Sequence, residues 1–180
     1  MTSNADLEGR LMEGKKESVS KREKCRPIDH RRLGREFAMQ FLFQLDYDEA
    51  NSIDALPYFW EQLEKSEVYQ INRNFEKAKA FAEKLIKIVV SEKDRIDSEI
   101  AKFAKNWRLD RMGCVDRNVM RVAVAEMLFL DDIPPIVSIN EAVETAKFFG
   151  SESSGSFVNG ILNSVKDSLD RPAREALKKK

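Results

Sequence analysis

The chain has 180 residues, of which 42% are hydrophobic and 34% charged, which suits one globular core and gives no reason to expect two domains. No apolar run approaches the length of a membrane span, and the N-terminal region lacks the apolar stretch of a signal peptide, so we expect a cytoplasmic protein. A single histidine and two distant cysteines, Cys25 and Cys114, support neither a disulfide framework nor a zinc site. We therefore expect no metal and no cofactor.

The formal net charge of zero hides a partition of charge along the chain. Residues 1–35 contain 10 Lys and Arg against 6 Asp and Glu, residues 171–180 contain 5 against 1, and the stretch between them contains 16 against 24. Both ends are thus basic, at +4 each, and the body is acidic, at −8. A basic edge can attract a polyanion even on a neutral molecule, because salt screens charges beyond about 8 Å. For the lysine-rich ends alone, solvated flexible tails are the simpler interpretation.

The chain begins with a segment that is not expected to fold. Residues 1–27 are polar, mix both charges and lack aromatic side chains, which predicts a disordered extension. The folded domain is predicted over residues 28–170, and residues 171–180 are predicted to fray as a basic tail. From Asp29 onward, apolar residues recur at three- and four-residue spacing, which predicts amphipathic helices.

Four helices are predicted in the first part of this domain. The first follows Asp29, its expected N-cap, and carries an apolar stripe that includes Phe37 and Phe41. A shorter helix is predicted around residues 54–64. Two longer ones follow in NRNFEKAKAFAEKLIKIVVSEK and RIDSEIAKFAKNW, the second with Trp107 on its apolar face.

Three more helices complete the domain. The apolar segment VDRNVMRVAVAEMLFL predicts a helix near the centre of a bundle, and Ser138 with Glu141 has the spacing of a capping box, which predicts that the next helix begins at Ser138. That helix is predicted to end at Gly150, a favoured residue after a helix C-terminus, before the last helix in SFVNGILNSVKDSL. Because no stretch alternates with period two, the sequence predicts an all-α bundle of about seven helices with no sheet.

Residues that could carry catalysis are scarce. His30 stands alone beside the N-terminal extension, and Asp131 and Asp132 lie at a helix end, where acidic residues are ordinary. The segment 150–156 has the glycine spacing of a phosphate-binding loop but lacks its lysine and its leading strand, so helix capping explains it better. We therefore do not expect an enzyme.

Arg31, Arg32 and Arg35 cluster at the start of the first predicted helix. Basic residues at this position oppose the helix dipole, which favours anions there. Guanidinium groups can hold phosphates and stack on unpaired bases, so one interpretation is an RNA site. The other is a solvated basic turn, in which Arg32 pairs with Glu36 one helical turn later. The spacing alone leaves both interpretations open.

Three stretches together resemble the NusB family of bacterial antitermination factors: RRLGREFAMQFLFQLDY, VDRNVMRVAVAEMLFLDDIPPIVSINEAVETAKFFG and SFVNGILNSV. They cover most of residues 31–165 in the family's order. The resemblance implies a fold of two small helical subdomains and a function without catalysis. Members of the family pair with the ribosomal protein NusE and bind the single-stranded boxA element of leader transcripts. This assembly helps the RNA polymerase antitermination complex resist termination during ribosomal RNA synthesis.

The resemblance implies two sets of functional residues in this chain. The expected RNA contacts lie at the start of the first helix and around FVNG: Arg31, Arg32, Arg35, Ser153, Ser156 and Phe157. The expected contacts with NusE are Phe43 and Asp116. If the three arginines each neutralise one phosphate, the log-log salt slope of single-strand binding should be about −2. Leu33 and Gly34 depart from a run that is more continuously basic in some relatives.

Two alternatives remain open. NusB-like domains also occur at the N-terminus of ribosomal RNA cytosine methyltransferases, although we expect no catalytic domain here because the chain ends at Lys180. A module that binds only proteins would bind NusE without any contribution from RNA.

Overall fold

The computed structural model describes residues 29–47, 52–66, 74–104 and 107–177. Seven α-helices occur within these ranges: α1 His30–Tyr47, α2 Leu56–Glu64, α3 Phe75–Ser91, α4 Lys93–Phe103, α5 Cys114–Phe129, α6 Pro135–Phe149 and α7 Ser154–Ser168. Short 3₁₀ turns, Ile53–Ala55 and Leu109–Arg111, precede α2 and α5. The described residues contain no strand, which confirms the predicted all-α fold. The predicted extension over 1–27, with Cys25, lies outside the described residues.

An aromatic core joins α1, α2 and α3 into the N-terminal subdomain. Phe37 on α1 lies edge-on to Trp60 of α2 and Phe75 of α3, with ring centroids 5.6 and 5.7 Å apart. One turn later, Phe41 meets Phe59 of α2 at 5.3 Å. Residues four apart share a helix face, and aromatic pairs in this geometry add to the free energy of area burial. The predicted apolar stripe of the first helix is confirmed.

Helix α5 lies at the centre of the bundle, as predicted. Ten of its 16 residues are buried. It packs against α4, α6 and α7, which form the C-terminal subdomain, and also against α1 and α3. Helix α5 therefore contacts both of the predicted helical subdomains. None of the described helices is both long and apolar enough to cross a bilayer.

Two sequence-based helix boundaries are wrong. Helix α6 begins at Pro135. Proline suits the first turn of a helix, because it has no N–H and the N–H groups of that turn have no partner within the helix. Ser138 therefore lies inside the helix, and its hydroxyl donates to the buried Glu126 carboxylate at 2.6 Å instead of capping a helix start. Trp107 lies beyond the end of α4 at Phe103, and 57% of it is exposed.

Gly150 follows α6 as predicted, but for a different reason. Its φ of −96° lies outside the left-handed region that usually selects glycine at this position. A Cβ at Gly150 would lie 2.5 Å from the Ser154 Oγ and 2.7 Å from the Ala146 carbonyl oxygen. Glycine is needed here because α7 begins close against the end of α6.

The segment after α7 packs back onto the turn between α5 and α6. The Arg171 guanidinium donates to the Met127 carbonyl at 2.8 Å, and the Leu177 N–H donates to the Asp131 carbonyl at 2.8 Å. Carbonyl groups in the last turn of a helix lack partners within the helix, so the bond to Met127 satisfies one of them, while the bond to Asp131 holds the turn that follows α5. Residues 171–177 thus make hydrogen bonds to the body of the protein, residues 178–180 lie outside the described part, and the basic tail over 171–180 stays a prediction.

Candidate nucleic-acid interface

The start of α1 exposes two of the three predicted arginines. The side chains of Arg31 and Arg32 are 39% and 43% exposed. Arg31 Nη2 lies 2.9 Å from Asp132 Oδ2, and Arg32 Nε lies 3.5 Å from Glu36 Oε1. Exposed ion pairs contribute about 1 kcal/mol or less, so either guanidinium can exchange its carboxylate for a phosphate at little cost.

Arg35 points into the protein instead. Its side chain is 7% exposed, its Nε donates to Glu126 Oε1 at 2.7 Å, and its Nη1 lies 3.7 Å from Glu141 Oε2. Burial raises the pKa of the Glu126 carboxyl, against the opposing effects of the Arg35 charge and the Ser138 hydrogen bond. A phosphate could reach Arg35 only if this network opened. Direct RNA contact at Arg35 stays a prediction, while the geometry gives this residue a structural part.

Phe81 of α3 lies beneath the arginine cluster. The guanidinium carbons of Arg31 and Arg35 are 5.8 and 5.7 Å from its ring centroid, within the range of cation–π contact. Gly34 allows this approach, because a Cβ there would lie 2.8 Å from the Ala78 carbonyl oxygen and 2.9 Å from Phe81 Cδ1. Gly34, which interrupts the basic run, is therefore required for the close packing of α1 against α3. Sequence reasoning missed Phe81 because this contact depends on how α1 lies against α3.

The remaining predicted RNA residues line a groove near the N-terminal end of α5. The groove has a volume of about 510 Å³ and is lined by Trp107, Met112, Gly113, Asp116, Ser151, Ser153, Ser156 and Phe157. It brings Asp116, expected from the resemblance on the partner face, together with three residues expected to contact RNA. The groove adjoins the first turn of α5, whereas Glu126 and Asp132 anchor the arginines at the far end. A helix of 16 residues separates them by about 24 Å.

Trp107 and Phe157 form the aromatic side of the groove. Their ring centroids are 5.7 Å apart with an interplanar angle of 66°. Phe157 also packs against the core, whereas Trp107 is largely exposed. Sequence reasoning assigned Trp107 to the core, because helical periodicity continues past the point where α4 ends.

Phe43 does not line this groove. It lies on the C-terminal half of α1, where its ring is nearly parallel to that of Tyr47, with centroids 6.5 Å apart and an angle of 7°. Both side chains are exposed, Tyr47 to 85%. Tyr47 was not singled out from the sequence, although its spacing of four residues from Phe43 places both on one face.

A partly buried ion cluster holds this end of α1 against α5. Asp46 Oδ2 lies 2.8 Å from both Arg117 Nη2 and Arg121 Nη1, and Arg121 Nε donates to Asp97 Oδ1 of α4 at 2.7 Å. Burial by itself would raise the pKa of Asp46, but the Arg117 hydrogen bond and the Arg121 charge hold it below its usual value. The cluster thereby fixes the end of α1 that carries Phe43 relative to the first turn of α5.

Comparison with known proteins identifies the family. The NusB family profile matches residues 32–167. The chain belongs to the NusB family. Within this family, the transcription antitermination protein NusB of Myxococcus xanthus is 45% identical over 142 residues, covering 79% of this chain and 98% of the relative. That of Bacillus licheniformis is 41% identical over 140 residues, covering 78% and 98%.

Solved structures of NusB proteins share the helical arrangement. NusB of T. maritima is 36% identical, with a TM-score of 0.65 over 79% of this chain and 92% of that one. A complex of the antitermination factors NusB and NusE with double-stranded RNA contains a chain that is 27% identical, with a TM-score of 0.66 over 79% of this chain and 99% of that one. The predicted family and NusB-like fold are both confirmed.

Proposed function

We propose that this chain is a cytoplasmic transcription antitermination factor, without catalytic activity, that binds single-stranded boxA-type leader RNA together with the ribosomal protein NusE. It acts by placing RNA and protein together within the RNA polymerase antitermination complex, in support of ribosomal RNA transcription. The observation that carries the proposal is the exposed pair Arg31 and Arg32 at the N-terminus of α1. Two exposed guanidinium groups at a helix end that already favours anions form a phosphate site.

The distribution of charge supports RNA binding at this edge. The body of the chain is acidic, at −8, so a polyanion is repelled from most of the surface and drawn to the basic start of α1. Within the edge, Arg31 and Arg32 contact phosphates, and Arg35 acts through its position. Arg35 pairs with Glu126 and makes a cation–π contact with the Phe81 ring. These contacts fix the turn of α1 that carries the two exposed arginines.

The proposed NusE face lies at the other end of α1. Exposed aromatic side chains are enriched in protein interfaces, and the parallel pair of Phe43 and Tyr47 offers such a surface. The Asp46 cluster holds this pair in a fixed place relative to Asp116, the second residue expected on the partner face.

The methyltransferase-associated module is the weaker alternative. The antitermination proteins of Myxococcus xanthus and Bacillus licheniformis are matched over 98% of their length, which supports the antitermination function over a methyltransferase association.

Fluorescence anisotropy of labelled boxA-type RNA and of a scrambled RNA, with and without NusE and across a salt series, tests the proposal. Two exposed arginines that each neutralise one phosphate contribute about −1.4 to the log-log salt slope, against about −2 for three. Replacing Arg31 and Arg32 together by alanine should remove that contribution of about 1.4. The matched control replaces two exposed lysines elsewhere, Lys65 just after α2 and Lys102 on α4, and should leave the slope unchanged. Equal affinity for both RNAs, with and without NusE, would contradict the proposal.

A further inference from the structure

The segment that follows α7 forms a strap, residues 171–177, across the turn between α5 and α6. The Arg171 guanidinium donates to the Met127 carbonyl in the last turn of α5 at 2.8 Å. The Ala173 carbonyl accepts from the Ile136 N–H in the first turn of α6 at 3.0 Å. The strap thus supplies partners for backbone groups that have none within the two helices. It lies beyond the residues that the family profile matches, so its part must be inferred from its own contacts.

The end of the strap lies beside the arginine edge. The Leu177 N–H donates to the Asp131 carbonyl at 2.8 Å. The carboxylate of the next residue, Asp132, lies 2.9 Å from Arg31 Nη2 at the start of α1. Consecutive Cα atoms are about 3.8 Å apart, so one residue separates the attachment point of the strap from the carboxylate that holds Arg31. The chain that follows Leu177 therefore starts close to the proposed phosphate site.

Three consecutive lysines follow the strap in the sequence, and we call them the lysine triplet: Lys178, Lys179 and Lys180. Three residues of chain span at most about 10 Å. Charges in physiological salt act over a comparable distance, about 8 Å. The hydrogen bond of Leu177 therefore keeps the three ammonium groups near any phosphate that Arg31 holds.

The turn beneath the strap carries charge of the opposite sign. Asp131 and Asp132 are both exposed, and their carboxylates repel a phosphate that approaches Arg31. Residues 171–180 contain 5 Lys and Arg against 1 Glu, or +4, which exceeds the charge of the two carboxylates. The strap and the lysine triplet together therefore make this side of the arginine edge attractive to a polyanion.

We propose that the lysine triplet is a second part of the RNA site and binds phosphates next to those held by Arg31 and Arg32. Arg171 is a positioning residue, because it holds the strap where the triplet can meet the same strand. Lysine suits this part, since a compact ammonium group on a flexible stem binds phosphate as a point charge. The proposal rests on the RNA-binding function proposed above and adds further phosphate contacts to that site.

Replacing the lysine triplet by glutamine tests the phosphate contacts, because glutamine is polar but carries no charge. The log-log salt slope for boxA-type RNA, measured by anisotropy, should become shallower by about 2, at about 0.7 for each phosphate. The matched control replaces three exposed lysines elsewhere, Lys65, Lys87 and Lys102, and should leave the slope unchanged. An unchanged slope in the triplet variant would overturn the proposal.

Acetylation of lysines by an amine-reactive reagent, read by mass spectrometry, measures the same contacts directly. Bound boxA-type RNA should protect the lysine triplet, while the exposed Lys65 and Lys102 stay reactive. Equal reactivity of the triplet with and without RNA would show that these lysines do not touch RNA. A triplet that is unreactive even without RNA pairs with Asp131 and Asp132 instead, which also contradicts the proposal.

Two substitutions of Arg171 test the positioning by the strap. Arg171→Lys keeps the charge but loses the planar fork that bonds the Met127 and Ile133 carbonyls, and Arg171→Ala loses both. Both should weaken RNA binding in the intact chain and have little further effect in the triplet variant, because the strap and the triplet act as one unit. RNA affinity of Arg171→Lys equal to that of the unaltered chain would refute the positioning part.

The outcomes separate this proposal from the function on which it rests. Circular dichroism verifies that each variant is folded, and the glutamine variant changes nothing within the strap, so it decides the proposal even if the Arg171 variants unfold. If RNA binding depends on Arg31 and Arg32 but not on the lysine triplet, the second part of the site is wrong and the RNA-binding function stands. If no RNA binds under any condition, both proposals fail.

Discussion

Three neighbouring arginines have different environments because of where each side chain points. On a helix with 3.6 residues per turn, Arg31 and Arg35 lie on nearly the same face, toward Phe81, while Arg32 is turned by about 100°. Arg35 lies one turn further into the bundle, where the carboxylate of Glu126 meets it. Side-chain chemistry is identical at the three positions, so depth in the fold alone separates the two exposed arginines from the buried one.

Replacing Arg35 by alanine should lower the free energy of unfolding by about 3–5 kcal/mol, because it leaves the buried Glu126 carboxylate without its cation. Arg31→Ala, which breaks only an exposed pair with Asp132, should cost about 1 kcal/mol or less. Urea unfolding of both variants measures the difference. Equal stability of the two would contradict the structural part given to Arg35.

Protonation of the Asp46 carboxylate should lower the free energy of unfolding over a defined range of acidic pH. Its pKa is lowered from 3.8 in the folded protein, so its contribution is fully present above about pH 4 and is lost as the pH falls through the lowered value. Asp46→Asn should be less stable by about 2 kcal/mol at neutral pH, since hydrogen bonds to a charged group are removed. Urea unfolding at neutral pH and at several values below pH 4 should show the gap between the two proteins closing. A constant gap would refute this linkage.

At the scale of helices, close contact between α1 and α3 determines what the sequence tolerates at Gly34. A glycine inside a helix is unfavourable by about 1 kcal/mol relative to alanine, so it needs a compensating reason. Here the reason is the Ala78 carbonyl and the Phe81 ring, which occupy the space of a Cβ. The same contact places Phe81 under the arginines, so packing and the proposed RNA edge share one residue.

Gly34→Ala should destabilise the protein by about 1–3 kcal/mol through overpacking between α1 and α3. Gly160 on α7 is a matched control, because a Cβ there would meet nothing within 4 Å. Gly160→Ala should therefore stabilise the protein by about 1 kcal/mol through helix propensity alone. Thermal unfolding of both variants should show shifts of opposite sign, and shifts of the same sign would contradict this packing argument.

For the whole molecule, the central helix α5 separates two surfaces of different character. The basic edge lies near its C-terminal end and the uncharged aromatic side of the groove near its first turn, about 24 Å apart for 16 residues. A single strand of RNA would have to run along the bundle to touch both. The acidic body between the two basic ends of the sequence leaves few other places for such a strand.

The two surfaces should contribute independently to RNA affinity. Residues more than about 10 Å apart without shared partners have additive effects. Combining the Arg31 and Arg32 substitutions with Trp107→Ala in the groove should thus multiply the two separate losses of affinity for boxA-type RNA, measured by anisotropy. A combined loss equal to the larger single loss would show that the two surfaces do not bind the same RNA strand.

Local patterns in the sequence determined the helical class, the approximate limits of the helices and the family, because periodicity, capping residues and contiguous motifs depend on neighbours a few residues apart. Tertiary structure alone decided that Arg35 is buried, since its partner Glu126 lies 91 residues away in the chain. It also decided that Trp107 is exposed beside Phe157 and that Asp116 shares a groove with Ser153 and Ser156. These contacts join separate helices, and no spacing along one segment encodes how two helices meet.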